Sequence, residues 1–336
     1  MERRALGSSG MTVSPLCLGT MMFGLRTELQ EADRIVGSAR ETGVNFIDTA
    51  DVYAAGESER IVGQLIHADR ERWVLATKVG SPGADDRHRG GLSRRWVMQA
   101  VHDSLARLGT DYIDIYYCHH DDEETPLEET FETLGRLVQT GTIRGYGLSN
   151  YRAWRVVEVV HVCARLGVPP PIVCQPVYNA MTRAAEAELL PACAHHGIAV
   201  VPYSPLARGV LSGKYLVDSD PPPDSRAGRR DRRMMETEWR RESILLAQEL
   251  KKHAEAKAMT AGQFALNWVL NNALVTSVIV GPRTFDQWTE YLGALDHGLD
   301  AEDEAFVDRL VAPGQVSTPG YSDPRYPPRG RVPRTS

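Results

Sequence analysis

Val44-Asn45-Phe46-Ile47-Asp48-Thr49-Ala50-Asp51-Val52-Tyr53 reads as a short apolar strand that stops on a carboxylate and passes the chain to a loop carrying a tyrosine. Two later runs stop in a similar way. Trp73-Val74-Leu75-Ala76-Thr77-Lys78 ends on an ammonium, and Tyr112-Ile113-Asp114-Ile115-Tyr116-Tyr117-Cys118-His119 ends on an imidazole. In a parallel α/β barrel the C-terminal strand ends and the loops after them carry the chemistry. Asp48, Tyr53, Lys78 and His119 would then share one rim.

The pattern extends along the chain. Candidate strands fall at residues 16–19, 44–48, 73–79, 112–119, 143–148, 172–175, 199–203 and 277–280. Between them lie segments with helical apolar spacing, such as Trp96, Ala100, Val101, Leu105 and Leu108. Gly43, Gly109, Gly141, Gly167 and Gly197 follow these segments as stop signals, while Ser93 and Thr125-Pro126 precede two of them as starts. Eight strand–helix repeats predict a single (β/α)8 TIM barrel. An open doubly wound sheet is disfavoured, because no Gly-x-Gly-x-x-Gly opens the helix after the first strand. Residues 4–6 and Val13, joined through Gly7-Ser8-Ser9-Gly10, predict an N-terminal hairpin that plugs the barrel. The barrel is expected over residues 1–311, with a polar, lid-like insertion at 216–241 that is too long for an ordinary connection. Residues 312–336 hold six prolines and predict an extended C-terminal tail, with Tyr321 or Tyr326 buried.

Composition bounds the function. The chain has 336 residues and a net charge of −6 without long blocks of one sign, which argues against nucleic acid and anionic membranes as partners. No apolar run approaches the roughly 18 residues of a membrane span. Met1-Glu2-Arg3-Arg4-Ala5-Leu6 lacks the apolar core of a signal peptide. Five scattered cysteines, none in a Cys-x-x-Cys pair, read as buried thiols. A cytoplasmic location is expected.

Tyrosine, with an ordinary pKa of roughly 10, is a poor proton donor at neutral pH. A neighbouring lysine ammonium favours the phenolate and lowers that value. Asp48 would hold Lys78 charged, and His119 would orient a substrate oxygen. Such a group donates a proton to an oxyanion forming on a carbonyl carbon, with a hydride arriving from a nicotinamide. Two rivals use the residues less well. A metal site at His119-His120-Asp121-Asp122 is disfavoured because adjacent strand residues point to opposite faces. A glycosidase pair drawn from Asp48, Asp114 and Asp121 leaves Tyr53 and Lys78 idle. No metal is expected.

At these residues the chain resembles the aldo-keto reductases. The first signature is matched by 45–53 followed by Gly56-Glu57-Ser58-Glu59, and the lysine and histidine strands by 73–78 and 114–119. Gly145-Tyr146-Gly147-Leu148-Ser149-Asn150, residues 201–215 and residues 278–284 with Gln287 match the fifth, seventh and eighth strands with their loops. The likeness covers about residues 3–311 and is nearest the branch of potassium-channel β subunits and bacterial general reductases. It implies an NADP(H)-dependent oxidoreductase that reduces aldehydes or ketones to alcohols. Tyr53 would be the proton donor, Lys78 and Asp48 its tuning pair, and His119 the orienting group. The resemblance places cofactor contacts at Gly19, Thr20, Met21 and Asp48. It sets the carboxamide against Ser149, Asn150 and Gln175, and the nicotinamide ring on Tyr203. The pyrophosphate loop maps to Ser204, Pro205, Leu206, Gly209, Leu211 and Lys214, with Arg226 closing over it. The adenosine end maps to Gly281, Arg283, Gln287 and Glu290. Tyr291 stands where the family usually has Asn, a departure that bears on adenine binding.

The substrate pocket is expected between Met22, Phe23, Val52, Ser81, His120 and Tyr151. The partner expected is a small-molecule carbonyl compound, and a homo-oligomer stays possible. Two other functions fit the resemblance: a slow nicotinamide-binding regulatory module like a channel β subunit, and a ketoreductase of sugars or nucleotide sugars.

Overall fold

All eight expected strands form in the computed structural model, which describes residues 1–81, 90–328 and 330. A short hairpin comes first, from β1 (Arg4–Ala5) and β2 (Thr12–Val13). The sheet strands are β3 (Leu16–Gly19), β4 (Phe46–Asp48), β5 (Val74–Val79), β6 (Ile113–Cys118), β7 (Ile143–Ser149), β8 (Val173–Gln175), β9 (Ala199–Val200) and β10 (Val278–Val280). They run in the order β10-β3-β4-β5-β6-β7-β8-β9, each pair parallel. The last gap is closed by Thr276 N donating to Val200 O (2.9 Å) and Ile279 N to Pro202 O (2.9 Å). This is a (β/α)8 barrel. β9 is shorter than expected from 199–203, because Pro202 has no N–H for the ladder. Tyr203 regains pairing only as a single parallel bridge with Val177.

The chain divides into two compact units. The first, Met1–Val177, Glu188–Tyr203 and Leu270–Leu292, contains the whole sheet and its hairpin. Its interior follows from the strand pattern: Cys17, Phe46, Val74, Ala76, Ile115, Tyr117, Val173 and Ile279 pack together, with Leu6 and Val13 of the hairpin among them. The hairpin therefore plugs the barrel at the end where strands begin. Its turn is held close, since a Cβ on Gly7 would lie 2.6 Å from Ile172 O and 2.8 Å from Gly197 O. Helix faces are set by the same apolar spacing. Leu29–Thr42 buries Ala32, Ile35, Val36 and Ala39 and stops at Gly43, whose φ of 85° is left-handed. Arg94–Leu108 starts as expected at Ser93, whose Oγ accepts from Trp96 N. Its buried face runs through Val97 and Ser104, leaving Trp96 and Leu105 half-buried. All five cysteines are buried thiols.

The second unit holds Tyr178–Ala187, Ser204–Val269 and the described residues of Gly293–Ser336. Part of the expected lid is ordered as the helix Arg232–Thr237, capped by Asp231 accepting from Met234 N at 2.9 Å. The tail lies against this same unit. Val316 bridges Thr182, Ser317 Oγ meets Ser243 Oγ at 2.8 Å, and Asp323 pairs with Arg233 at 2.5 Å. Tyr321 lies under Arg240, its ring 3.9 Å from the guanidinium carbon. Tyr321 and Tyr326 are half-buried rather than buried as expected. Arg329 and residues 331–336 of the tail lie outside the described residues. No helix among the described residues is long and apolar enough to cross a membrane.

Gly63 marks a close helix contact in the first unit. It sits in the helix Glu57–Ile66, and a Cβ there would lie 2.2 Å from the carbonyl oxygen of Leu108. Gly63→Ala should force the two helices apart and cost about 1–3 kcal/mol, the range for overpacking. A melting temperature several degrees lower checks this; an unchanged melting temperature would mean the contact relaxes freely.

Candidate active site

Lys78 is tightly held at the C-terminal rim. It is fully buried, one residue before the end of β5, opposite Tyr117 of β6. Its ammonium pairs with Asp48 Oδ1, donates to Thr49 O at 2.7 Å and reaches Tyr53 Oη at 3.4 Å. Burial alone would strip the charge from a lysine. Here the facing Asp48 carboxylate and Tyr53 outweigh that burial and hold the ammonium above the ordinary lysine range. Burial pushes the Asp48 carboxyl up, against the Lys78 ammonium and the Gln175 amide, which both favour its charge. Gln175 Nε2 donates to Asp48 Oδ2 at 2.9 Å. The carboxylate thus has a partner on each oxygen.

Tyr53 opens a turn with unusual backbone. Ala54 and Ala55 both hold positive φ, 47° and 55°, and Gly56 follows at 92°. Left-handed alanines cost of order 1 kcal/mol or more each, so surrounding contacts must impose them. The Tyr53 ring lies edge-on to His119, with centroids 6.1 Å apart and planes at 81°. His119 is the first residue past β6, its N–H bonded to Val79 O at 2.7 Å. Its Nδ1 meets Ser81 Oγ at 3.1 Å, its carbonyl accepts from Asn150 Nδ2 at 2.9 Å, and its ring stacks on His120 at 4.7 Å. The four rim residues expected from the sequence are therefore brought together. Asp121 and Asp122 are committed elsewhere. Asp121 pairs with Arg155 at 3.1 Å, and Asp122 accepts from Leu92 N and Thr125 Oγ1, both at 2.7 Å.

The network continues around the rim within the first unit. Ser149 Oγ donates to Gln175 O at 3.0 Å, and Tyr203 Oη donates to Asn150 Oδ1 at 2.8 Å. Gly19 ends β3 and Gly281 follows the neighbouring β10, and a Cβ on Gly281 would meet only Gly19 O, at 3.7 Å. Gln287 uses its Oε1 on the Arg283 N–H at 2.8 Å, at the start of the helix Phe285–Gly293. Thr20 is spent internally: its hydroxyl donates to Asp48 O at 3.0 Å and lies 2.9 Å from Ser58 Oγ. Tyr291 is buried. Met21, Met22, Ser81 and His120 are partly exposed and Val52 is exposed. Phe23 and Tyr151 are buried.

The other expected cofactor residues belong to the second unit. Ser204, Ala207, Arg208, Gly209 and Gly213 all have positive φ, in one short loop that also carries Pro205, Leu206 and Leu211. Lys214 Nζ lies 3.2 Å from where a Gly209 Cβ would stand. Arg208 Nε is buried without an acceptor. Burial and the like charge of Arg208 lower the pKa of the Arg226 guanidinium, whose nearest carboxylate, Asp231, is 3.6 Å away. A strained loop rich in cations that face one another suits an anion.

Sequence reasoning passed over one cluster behind the rim. Glu59 is completely buried and accepts from Thr77 Oγ1 at 2.6 Å and Arg107 Nε at 2.5 Å. Asp51 Oδ1 is buried beside it without a hydrogen bond. The only signal was the spacing of Gly56-Glu57-Ser58-Glu59, where Glu59 falls on the inward face of an amphipathic helix.

A family model described as the aldo/keto reductase family matches residues 15–312. The chain is 37% identical over 304 residues to a probable voltage-gated potassium channel subunit beta of Arabidopsis thaliana, covering 88% of this chain and 92% of that one. It is 35% identical over 303 residues to a protein of the same description from Oryza sativa subsp. japonica, with the same coverage. An uncharacterized oxidoreductase, YrpG, of Bacillus subtilis (strain 168) is 36% identical over 335 residues, covering 96% of this chain and all of that one.

Asp51 offers a measurable consequence of the buried cluster. Burial, then the Glu59 carboxylate, pushes its carboxyl up to about 7. An unfolded Asp ionises near 3.9. The folded state therefore holds a proton that the unfolded chain has released, and stability falls as pH rises from about 4 to about 7, then levels off. Asp51→Asn removes this penalty. Its stability relative to the parent should rise by on the order of 2 kcal/mol between pH 5 and pH 8. Urea unfolding at the two pH values checks this, and an equal difference at both would sink it.

Proposed function

Because the chain belongs to the aldo/keto reductase family, we propose that it reduces aldehydes or ketones to alcohols with NADPH, Tyr53 giving the proton. The observation that carries this reading is the buried Lys78 ammonium, shared between Asp48 and the Tyr53 phenol. An ammonium at that position favours the phenolate and so makes the phenol a better acid. Asp48 keeps the ammonium charged and in place. His119, across the phenol, orients the carbonyl oxygen, and Ser81 on Nδ1 holds the ring.

The chain's residues fit a dinucleotide phosphate. Gly281, exposed just past the end of β10, leaves backbone uncovered there, since a Cβ on it would meet only Gly19 O at 3.7 Å. Ser149, Asn150, Gln175 and Tyr203 would hold the nicotinamide end. In the second unit, the buried Arg208 Nε without an acceptor, with Lys214 and Arg226, suits a diphosphate. When bound, NADPH supplies hydride to the carbonyl carbon. Arg283, beside the start of the helix Phe285–Gly293, would take the 2′-phosphate.

A second reading draws on the names of two relatives, channel β subunits: a nicotinamide-loaded barrel that docks on a partner and turns over slowly. The complete set Asp48, Tyr53, Lys78 and His119 weighs toward turnover.

Two measurements test the proposal. Tyr53→Phe should keep NADPH affinity and lower the rate of carbonyl reduction by about 10²-fold or more, as loss of a general acid does; turnover near the parent rate would end the mechanism. Arg283→Ala should weaken NADPH by about 1.5–3 kcal/mol, the range for a charge-assisted contact, and leave NADH nearly unchanged. Equal loss of both cofactors would remove Arg283 from the 2′-phosphate.

A further inference from the structure

The turn after Tyr53 is propped by a side chain from another helix. A Cβ built on Gly56 would lie 2.7 Å from Arg107 Cδ and 3.0 Å from its Nε, so the arginine stem fills the space a side chain would need. The same Nε bonds Glu59, whose other oxygen takes the hydroxyl of Thr77. Thr77 precedes Lys78 on β5, and Glu59 lies three residues past Gly56. One buried carboxylate thus anchors both halves of the acid pair: the tyrosine turn through Arg107, and the lysine strand through Thr77. A fully buried glutamate is costly unless it is paired and hydrogen-bonded, and this one has both kinds of partner. The left-handed Ala54 and Ala55 need such an external constraint, because neither alanine favours that backbone by itself.

We propose that Arg107 and Glu59 are positioning residues for Tyr53: their ion pair holds the left-handed turn closed and sets the separation of the phenol from the Lys78 ammonium. The inference rests on the reductase reading above. Neither residue touches the reacting atoms, and both act through the turn and through charge. The charged and titratable groups around the turn include Asp48 and Lys78 on their strands, Tyr116 on β6 and His119 just past it, Asp51 on the approach to Tyr53 and Glu57 at the turn's end. Against these, removing Arg107 leaves Glu59 as an uncompensated negative charge, which opposes the phenolate. Removing the charge of Glu59 leaves Arg107 as an uncompensated positive one, which favours it. The two losses must therefore displace the ionisation of Tyr53 in opposite directions.

The test is a set of three variants, Arg107→Met, Arg107→Lys and Glu59→Gln, alongside Tyr53→Phe. For each, NADPH affinity is measured by fluorescence titration, and kcat and KM for a reducible aldehyde across pH. Arg107→Met should keep NADPH affinity and KM within about threefold and lower kcat by about tenfold or more. The alkaline limb of its kcat profile, where the phenol loses its proton, should move up by roughly half a pH unit or more. Glu59→Gln should move that limb down. Arg107→Lys keeps the charge and the stem over Gly56 but not the Nε that bonds Glu59, so its kcat should fall between those of the parent and Arg107→Met with the limb in place. Limbs that stay fixed or move together would overturn the proposal. Should Arg107→Met not fold, a parental kcat in Arg107→Lys would overturn it as well. If Tyr53→Phe turns over normally, the reductase reading itself fails. If Tyr53→Phe is inactive and the Arg107 and Glu59 variants are parental, only the present inference fails.

Discussion

The Lys78–Asp48 ion pair is the constraint around which the first unit is arranged. Two opposite charges are buried at the rim of the barrel, where water screens them little. Such a pair is stable only when each remaining lone pair and proton has a partner. The barrel supplies them from two strands: the Thr49 carbonyl and the Tyr53 phenol after β4, and the Gln175 amide at the end of β8. Gln175 is in turn held through its carbonyl by Ser149 of β7. Moving any of these strand ends would strand a charge. The register Gly19↔Asp48↔Ala76 and Ser149↔Gln175 is thus tied to the electrostatics of the rim as well as to apolar packing.

Much of this could be read from the residues. A strand covered on both faces is apolar throughout, so the polar residue that ends it stands out, and Asp48, Lys78 and His119 were legible for that reason. The hairpin plug was legible from Gly7 and Gly10 between two short apolar stretches. Other features leave no local trace. Arg107 and Glu59 are 48 positions apart and each sits on a helix where a charged residue ordinarily faces water. Only packing turns both inward. The positive φ of Ala54 and Ala55 contradicts what alanine prefers, so propensity points away from it. The shortened β9 could have been foreseen, since Pro202 lies within the run.

The second unit solves a different problem. Its loop after Ser204 gathers cations and left-handed backbone, both unfavourable in isolation, while its tail is tied down by Asp323 and Tyr321 to Arg233 and Arg240. A proline-rich stretch has little regular hydrogen bonding to offer. Side-chain anchors take over that role, at intervals of a few residues, which is how an extended segment can be ordered without becoming a strand or a helix.

The hairpin plug also bears on how the chain reaches its native state. Leu6 and Val13 are near the start of the chain, yet the turn between them rests on backbone at Ile172 and Gly197. β3 needs β10, with Leu16 beside Val278. The opening residues therefore have no complete docking surface until most of the chain has been made. Neighbouring strand–helix units can assemble in order while the first segment waits. Closure of the ring and seating of the plug both join residues far apart in sequence, contacts of the kind that slow folding in topologies of high contact order. The apolar interior around Leu6 and Val13 is complete only when both ends of the sheet have met.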